Sequence, residues 1–262
     1  MLMAIEKNTA TKRQIPVKSI LISQPEPSSH RSPFYELEKK WKINIDWRPF
    51  IDVVAVEDKE FRKSKINIQD YTAIIMTSKN AVDFFFKKCE ELKIGMSTQT
   101  KYYCNTETIA NYLQKYTVYR KRKIFYGAKH LEDILPSFEK FKEGEKFLLP
   151  TSNLGSKKVV DFLNKNNIEF TELMMFKTIS SDLSDLSDIT YDMLVFFNPL
   201  GIKSLYENFP EFKQNKTRIA VFGQHTKKEA EKHNLIIDIL APTKETPSIV
   251  TAIDNYLSIT NK

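Results

Sequence analysis

Short apolar runs alternate along the chain with segments in which apolar residues recur at helical spacing. The first run, 19–23, predicts a buried strand, and Ser32-Pro33 predicts the start of a helix that ends near Trp41, with Ser32 as its N-cap. Further strands are predicted at 43–47, 72–76, 102–104, 124–126, 147–149, 193–197, 218–222 and 236–240. Further helices are predicted at 81–92, 107–115, 131–141, 157–164, 202–208, 227–233 and 248–257. This alternation predicts an α/β fold of doubly wound parallel sheets covered by helices.

The pattern repeats at matched positions. Residues 71–75 resemble residues 191–195 at an offset of 191 − 71 = 120, and Thr106-Glu107 resembles Gly223-Gln224 at an offset of 223 − 106 = 117. Chance recurrence of strand–helix units is the alternative explanation. Two copies of about 120 residues predict two α/β domains with a ligand cleft between them.

Hydroxyl, amide and small residues follow the predicted strands. They occupy 77–80, 106–108, 151–153, 198–201 and 223–226. Each segment leads towards a helix N-terminus, where free backbone N–H groups and the helix dipole favour anions. A single segment of this kind is usually a plain helix cap, but five of them indicate an anion-binding edge. The chain has no GxGxxG and no GxxxxGK[ST] motif, so nothing points to a bound nucleotide.

Composition narrows the class. Hydrophobic residues make up 41% and charged residues 28% of the 262, as in globular proteins, and no apolar run is long enough for a membrane helix. The net charge is +7, and the strongest basic cluster, 119–123, is interpreted as a solvated loop that precedes a strand. Nucleic-acid binding stays a weak alternative, because no binding motif accompanies the charge. Two unpaired cysteines and an N-terminus without a secretory pattern favour a reducing cytoplasm. The four scattered histidines predict no metal site.

Seven ordered segments resemble uroporphyrinogen-III synthases. Thr77-Ser78-Lys79-Asn80-Ala81-Val82 is similar to the family's TSxNAV motif, and Phe196-Phe197-Asn198-Pro199-Leu200-Gly201 to FFSPxG. The other similar segments are 20–25 (VLVTRP), 148–150 with 175–178 (LxP and VYRT), 220–226 (AxGPTT) and 241–253 (AxxPT and its helix). The resemblance runs from about residue 17 to 257, and residues 50–51 and 70–72 look most like the Bacteroidetes-type branch.

The resemblance implies an architecture. One discontinuous domain would comprise 17–48 and 182–262, an inserted domain 58–170, and a two-stranded β-ladder of 49–57 and 171–181 would link them. Residues 1–16 are expected to form a disordered tail. The implied function is cyclisation of hydroxymethylbilane, an octacarboxylate, to uroporphyrinogen III with inversion of ring D and loss of water. A monomer without cofactor is expected, with a possible transient contact to hydroxymethylbilane synthase and none to nucleic acid or membrane.

The resemblance and the strand ends together give the candidate site. Expected substrate-binding residues are Gln24, Thr77, Ser78, Asn80, Ser152, Asn198, Gly201, Gly223 and Thr226. No catalytic residue is assigned with certainty; Thr226 and Phe176 are the candidates in the cleft. No metal ligand is expected.

Several positions depart from the family pattern. Gln24 replaces the usual Arg, Asn198 a Ser, and Gln224-His225 a Pro-Thr pair. Phe176 aligns with a cleft tyrosine, and Ile109 with a threonine of the other domain. The loss of the phenol favours catalysis by positioning over a tyrosine acid. A decayed, weakly active homologue and a two-lobed small-molecule binding protein are the alternatives.

Overall fold

The computed structural model describes residues 15–29, 31–128 and 131–261. Most of the expected disordered tail, residues 1–14, therefore lies outside the described residues. Within them the chain forms two compact units. Unit 1 runs up to Asp52 and resumes at Ile179, and unit 2 is Val53–Thr178. The domain limits and linker ladder expected from the resemblance stay predictions.

Unit 1 contains one sheet of five parallel strands. The strands are β1 (Ser19–Ile22), β2 (Asn44–Trp47), β9 (Met193–Phe196), β10 (Arg218–Phe222) and β11 (Ile237–Ala241). The sheet order is β11-β10-β9-β1-β2. The helices are α1 (Pro33–Trp41), α7 (Pro199–Asn208), α8 (Gln224–Lys232) and α9 (Ile249–Thr260), with a short 3-10 turn at Ser184–Leu186.

Unit 2 contains a six-stranded sheet. The strands at 51–55 and 170–180, which are neighbours at one edge of this sheet, each include a limit between the two units. Its strands are β3 (Ile51–Ala55), β4 (Ala73–Met76), β5 (Lys101–Cys104), β6 (Ile124–Tyr126), β7 (Phe147–Ser152) and β8 (Phe170–Ser180). The order is β3-β8-β7-β4-β5-β6, and β8 to β6 are parallel. The helices are α2 (Asp58–Lys63), α3 (Lys79–Glu91), α4 (Glu107–Leu113), α5 (Leu135–Phe141) and α6 (Lys157–Lys165), with 3-10 turns at Ile68–Asp70 and Leu131–Ile134.

Apart from the additional edge strand β3 in unit 2, the two sheets have equivalent strand orders. Each sheet is assembled from both sequence repeats. The offset from β4 to β9 is 193 − 73 = 120, and from β5 to β10 it is 218 − 101 = 117, as the sequence predicts. However, β1-α1-β2 of the first repeat lies in the sheet with β9–β11 of the second, and β7-α6-β8 of the second lies with β4–β6 of the first. Each sheet is therefore completed by a strand–helix–strand segment taken from the other repeat.

Both faces of each sheet are covered. In unit 1, Ile20 and Ile22 pack into one apolar layer and Leu21 into the opposite one. In unit 2, Ile74 and Met76 face one layer, whereas Ala73 and Ile75 face the other. Alternate strand residues point to opposite faces, so strands buried on both sides read as continuous apolar runs. The predicted α/β class with parallel sheets is confirmed.

Several predicted boundaries were wrong for identifiable reasons. The segments 79–80, 199–201 and 224–226 are first helical turns rather than loops. Helices α3, α7 and α8 begin directly after their N-cap positions, which lie one or two residues beyond the strand ends. The predicted helix 131–141 is a 3-10 turn followed by α5, whose first turn holds Pro136. Helix α2 was not predicted. It has six residues and one buried apolar residue, Phe61, so the segment is too short to show helical periodicity.

No helix in the described ranges is long and apolar enough to cross a membrane.

Candidate functional site

The carboxyl ends of β4, β7 and β8 enclose a cavity in unit 2. Its volume is about 480 Å³, and its walls include Thr77, Ser78, Ser152 and Phe176. Register explains part of this convergence, because Ser152 of β7 pairs with Phe176 of β8. Four sequence-predicted site residues therefore meet at one sheet edge, where ligands bind in parallel α/β sheets. We call this space the unit 2 cavity.

Two serines of the cavity have hydroxyl hydrogens available for a ligand. The Ser78 Oγ accepts from the Ala81 N–H at 3.0 Å and so caps α3. The Ser152 Oγ accepts from the Leu154 N–H at 3.2 Å. Because each oxygen is fixed as an acceptor, its own O–H can be donated to an anion.

The start of α6 places two lysines on the wall of the unit 2 cavity. Lys157 and Lys158 both line it, and the N-cap of their helix, Ser156, makes no side-chain cap. The first N–H groups of this nine-residue helix therefore lack a side-chain acceptor. Two lysines and a helix N-terminus without a side-chain cap make this wall receptive to a carboxylate.

Another part of the cavity wall is held in place by Asn153. Its side chain accepts from the Thr178 N–H at 2.8 Å and donates to the Thr178 carbonyl at 3.1 Å. This pair of bonds ties the turn after β7 to β8. Phe176, only 7% exposed, stacks on Phe84 and supplies an apolar surface beside the hydroxyls.

Unit 1 presents a second group of predicted residues at its own carboxyl edge. The Asn198 Oδ1 accepts from the Gly201 N–H at 2.9 Å and caps α7, which leaves the amide N–H₂ available to a ligand. Gly201 permits a close approach here, since a Cβ on it would lie 3.3 Å from the Phe196 ring and 3.5 Å from the Ser23 Oγ. The buried Ser23 hydroxyl has no hydrogen-bond partner among the described residues, and the half-buried Gln24 follows it.

Gly223 and Thr226 have structural roles at the start of α8. Gly223 adopts φ +87° and ψ 151°, a conformation reserved almost entirely for glycine, and its N–H donates to the Ala241 carbonyl at 2.6 Å. Thr226 is 2% exposed, and its hydroxyl donates to the Phe222 carbonyl at 2.7 Å. In this geometry the Thr226 hydrogen is already committed, unlike those of Ser78 and Ser152. The role of Thr226 in binding stays a prediction.

Other positions named in the sequence analysis lie outside the unit 2 cavity. Asn80 is exposed on α3 and does not line the unit 2 cavity, and Ile109 packs in the apolar layer of unit 2. Burial raises the pKa of the Cys89 and Cys104 thiols to about 12, so neither is a thiolate nucleophile near neutral pH. In the described part of the chain, no group of three or more His, Cys, Asp and Glu side chains could hold a metal ion.

A larger cavity of about 1140 Å³ lies in unit 1 at the amino-terminal ends of β9 and β10. Its walls are largely apolar, with Phe209 and Phe212 among them, and it contains none of the predicted site residues. Position and chemistry both favour the carboxyl edges as the functional site.

Comparison with known protein families gives a match over most of the chain. The family model described as uroporphyrinogen-III synthase HemD matches residues 41–251, which is about four-fifths of the chain. The chain belongs to the uroporphyrinogen-III synthase family. A comparison with curated proteins gives no match.

Two solved structures of this family share the fold. Uroporphyrinogen-III synthetase from Helicobacter pylori 26695 superposes with a TM-score of 0.57 at 16% identity, covering 92% of this chain and 99% of that one. A mutant uroporphyrinogen III synthase from the extremely thermophilic bacterium Thermus thermophilus gives a TM-score of 0.54 at 12% identity, with the same coverage. At such identities the likeness establishes the fold alone.

Some features of the site could not be found from the sequence alone. Lys157 and Lys158 belong to a chain with 40 basic residues, so nothing in the sequence distinguished them. Ser23 is adjacent to the predicted Gln24, but its buried position against Gly201 depends on the packing of β1 beside β9. Thr178 enters the site through the Asn153 bonds, which only the fold brings together.

Proposed function

We propose that the chain is a uroporphyrinogen-III synthase, a cyclising carbon–oxygen hydro-lyase that converts hydroxymethylbilane to uroporphyrinogen III with inversion of ring D and loss of water. The family match over residues 41–251 supports the reaction class. The observation that carries the proposal in this structure is the unit 2 cavity, where hydroxyl, helix N–H and lysine donors surround an apolar wall.

The substrate carries eight carboxylates on four pyrrole rings, so its binding requires many anion donors beside flat apolar surface. Ser78 and Ser152 offer O–H donors, and Lys157 and Lys158 offer ammonium groups on the same cavity. Phe176 and Val159 contribute the apolar wall against which a pyrrole ring would pack. A cavity of about 480 Å³ holds one part of such a substrate.

Positioning is the proposed source of catalysis. Hydroxymethylbilane cyclises unaided to the wrong isomer, so the protein must hold one conformer and prevent direct closure. Fixed donors that face the carboxylates can do this without a nucleophile. Consistent with this, both thiols are protonated at neutral pH, and Phe176 carries no acidic hydrogen.

The proposal extends to the setting of the reaction. Both cysteines are buried and unpaired, which fits the expected reducing cytoplasm. We expect a monomer and a transient contact with hydroxymethylbilane synthase, which supplies the substrate. Size-exclusion chromatography with light scattering tests the first expectation, and the same measurement on a mixture of the two proteins tests the second.

A coupled assay tests the activity. Hydroxymethylbilane is generated in situ by its synthase with and without this protein, and the oxidised products are separated into uroporphyrins I and III. Product shifted to isomer III supports the proposal. Product that remains isomer I, with the protein shown to be folded by circular dichroism, contradicts it and favours the decayed homologue or the small-molecule binding protein.

A further inference from the structure

Unit 2 has a second pocket on the amino-terminal side of its sheet. It lies where β5 and β6 begin, next to the last turns of α3, and its volume is about 390 Å³. Its apolar walls are Phe86, Ile94, Met96, Tyr102, Tyr116 and Val118. Val118 is 75% exposed, the largest exposed fraction among the large apolar side chains of the described residues. Exposed apolar surface beside a pocket is typical of an interaction site.

The basic run found in the sequence forms the rim of this pocket. Arg120 and Lys123 line it, and Lys121 and Arg122 are exposed between them. Glu90 is the one acidic side chain among the described lining residues. Four consecutive cations repel each other, and a negatively charged partner would relieve that repulsion.

The rim is also held in a defined place. The Arg120 guanidinium donates to the Thr98 carbonyl at 3.4 Å, and the Lys123 ammonium donates to the Gln99 side chain at 2.8 Å. These bonds fasten the loop before β6 to the loop before β5. The charged rim is therefore attached to both walls of the pocket rather than to a free loop.

We infer that this basic-rimmed pocket binds an acidic segment of a partner protein, and that the segment carries an apolar anchor residue. The pocket is lined by residues within 86–102 and 116–124. The pocket volume suits one or two side chains, and the exposed Val118 extends the apolar surface beyond it. Charge complementarity at the rim would steer the acidic segment, and the anchor would supply most of the affinity.

The aromatic groups of the pocket argue against single-stranded nucleic acid as the occupant. Such ligands stack on exposed ring faces. Here Tyr116 is already stacked on Phe86, with centroids 4.8 Å apart and planes at 3°, and its hydroxyl donates to Asp83. Tyr102 is buried. A protein segment needs only the apolar walls and the cationic rim.

The pocket and the unit 2 cavity lie at opposite ends of the same sheet, because one adjoins the strand starts and the other the strand ends. A segment docked in the pocket would leave the unit 2 cavity open. The inference is independent of the proposed reaction and can hold or fail without it.

The test uses the full chain and a fluorescein-labelled peptide in which glutamates flank a central leucine–phenylalanine pair. Fluorescence anisotropy should show saturable binding that weakens as salt is added. Val118→Asp and Arg122→Glu should each weaken it by roughly tenfold, since the first places a charge on the apolar surface and the second reverses one cation of the rim. Both side chains are exposed, so folding should be preserved. Lys59→Glu, an exposed reversal on α2 of the same unit, is the matched control and should leave binding unchanged.

Three results would overturn the inference. One is the absence of saturable binding by the wild-type chain. Another is equal binding of a peptide with serines in place of the leucine–phenylalanine pair, which would reduce the site to diffuse charge. The third is tighter binding of an oligothymidylate that competes with the peptide, which would make the surface a nucleic-acid site.

Discussion

Phe84 of α3 and Phe176 of β8 stack in unit 2 with ring centroids 5.2 Å apart and ring planes at 15°. Phe176 also lines the unit 2 cavity, and it stands where the family resemblance places a tyrosine. The ring therefore fastens α3 to the sheet and forms a wall of the proposed substrate site. Its two roles can be separated by substitution.

Phe176→Tyr restores the phenol of the family. If positioning provides the catalysis, we expect the rate of isomer III formation to change by no more than roughly threefold. A general acid typically contributes at least about a hundredfold, so a rise of that size would assign the departure of water to a tyrosine and contradict the positioning mechanism. Rates from the coupled assay distinguish the two results.

Phe176→Ala tests the stacking role. The ring is 7% exposed, and truncation of a buried Phe costs about 3–5 kcal/mol. We expect unit 2 to unfold at a lower urea concentration when the transition is followed by far-ultraviolet circular dichroism. An unchanged transition would mean that the stack does not stabilise α3 against the sheet.

Lys157 and Lys158 should affect substrate binding more than chemistry. Replacing either by Gln removes one cation from the unit 2 cavity, and we expect KM to rise by about three- to tenfold with kcat almost unchanged. The double substitution should also weaken the salt dependence of KM.

Lys165→Gln is the matched control for the two lysines. Lys165 is exposed on the last turn of α6, the helix that begins at Lys157. Its substitution should therefore leave KM unaltered. A fall in kcat with constant KM in the Lys157 and Lys158 variants would contradict a binding role and indicate participation in the transition state.

Much of the fold was predictable because both sheets are covered on two faces. Strands such as Ala73–Met76 and Met193–Phe196 are buried along their whole length and read as plain apolar runs. The predicted helix starts near the site were wrong because the helix begins within three residues of the strand end, directly after its cap, as at Ser78 and Asn198. A cap signal of this kind marks the helix start two or three residues before the apolar periodicity does.

The candidate site was predictable only in part. The strand-end pattern identified Ser78 and Ser152, and the family resemblance identified Phe176; the three residues do meet in one cavity. It could not identify Lys157 and Lys158, because a lysine at a helix start looks like any solvated lysine until the fold places it beside a cavity. Nor could it show that the Thr226 hydroxyl is committed to the Phe222 carbonyl.

Arg218 should stabilise unit 1 through the backbone at the start of the described chain. Its side chain is 1% exposed, and its guanidinium donates to the carbonyls of Ile15, Pro16 and Lys216 at 2.8–3.1 Å. Arg218→Met leaves these carbonyls without that donor but also removes a buried charge. We expect a net loss of about 2–3 kcal/mol in the free energy of unfolding.

Tryptophan fluorescence isolates this effect. Both tryptophans of the chain, Trp41 and Trp47, lie in unit 1, so their emission reports the unfolding of that unit. Arg62→Met, an exposed substitution in unit 2, is the control and should not move the transition. An Arg218→Met protein with the wild-type urea midpoint would show that the three carbonyls hydrogen-bond equally well to water.

Acid should destabilise unit 1 within a defined pH range. Hydrogen bonds from the Lys40 ammonium and then from the Trp41 indole lower the pKa of Asp254 below its usual value. The Lys232 hydrogen bond likewise lowers the pKa of Glu229. A carboxyl whose pKa is lower in the folded state stabilises the fold above its unfolded pKa of about 4, and this stabilisation is lost as the pH falls through the folded pKa. The urea midpoint of unit 1 should therefore be insensitive to these groups from about pH 7 to 5 and fall below about pH 4.

Asp254→Asn isolates the contribution of one carboxyl. The Asp254 side chain is 33% exposed and that of Lys40 is 55% exposed, so solvent screening limits the expected loss at neutral pH to about 1 kcal/mol or less. Because asparagine does not titrate, the variant should lose less stability than the wild type between about pH 5 and 3, and the two tryptophan-fluorescence curves should converge. Because Trp41 donates to Asp254 at 2.6 Å, its emission should also change with pH in the folded wild type but not in the variant. Parallel curves for the two proteins would place the acid-sensitive group elsewhere in unit 1.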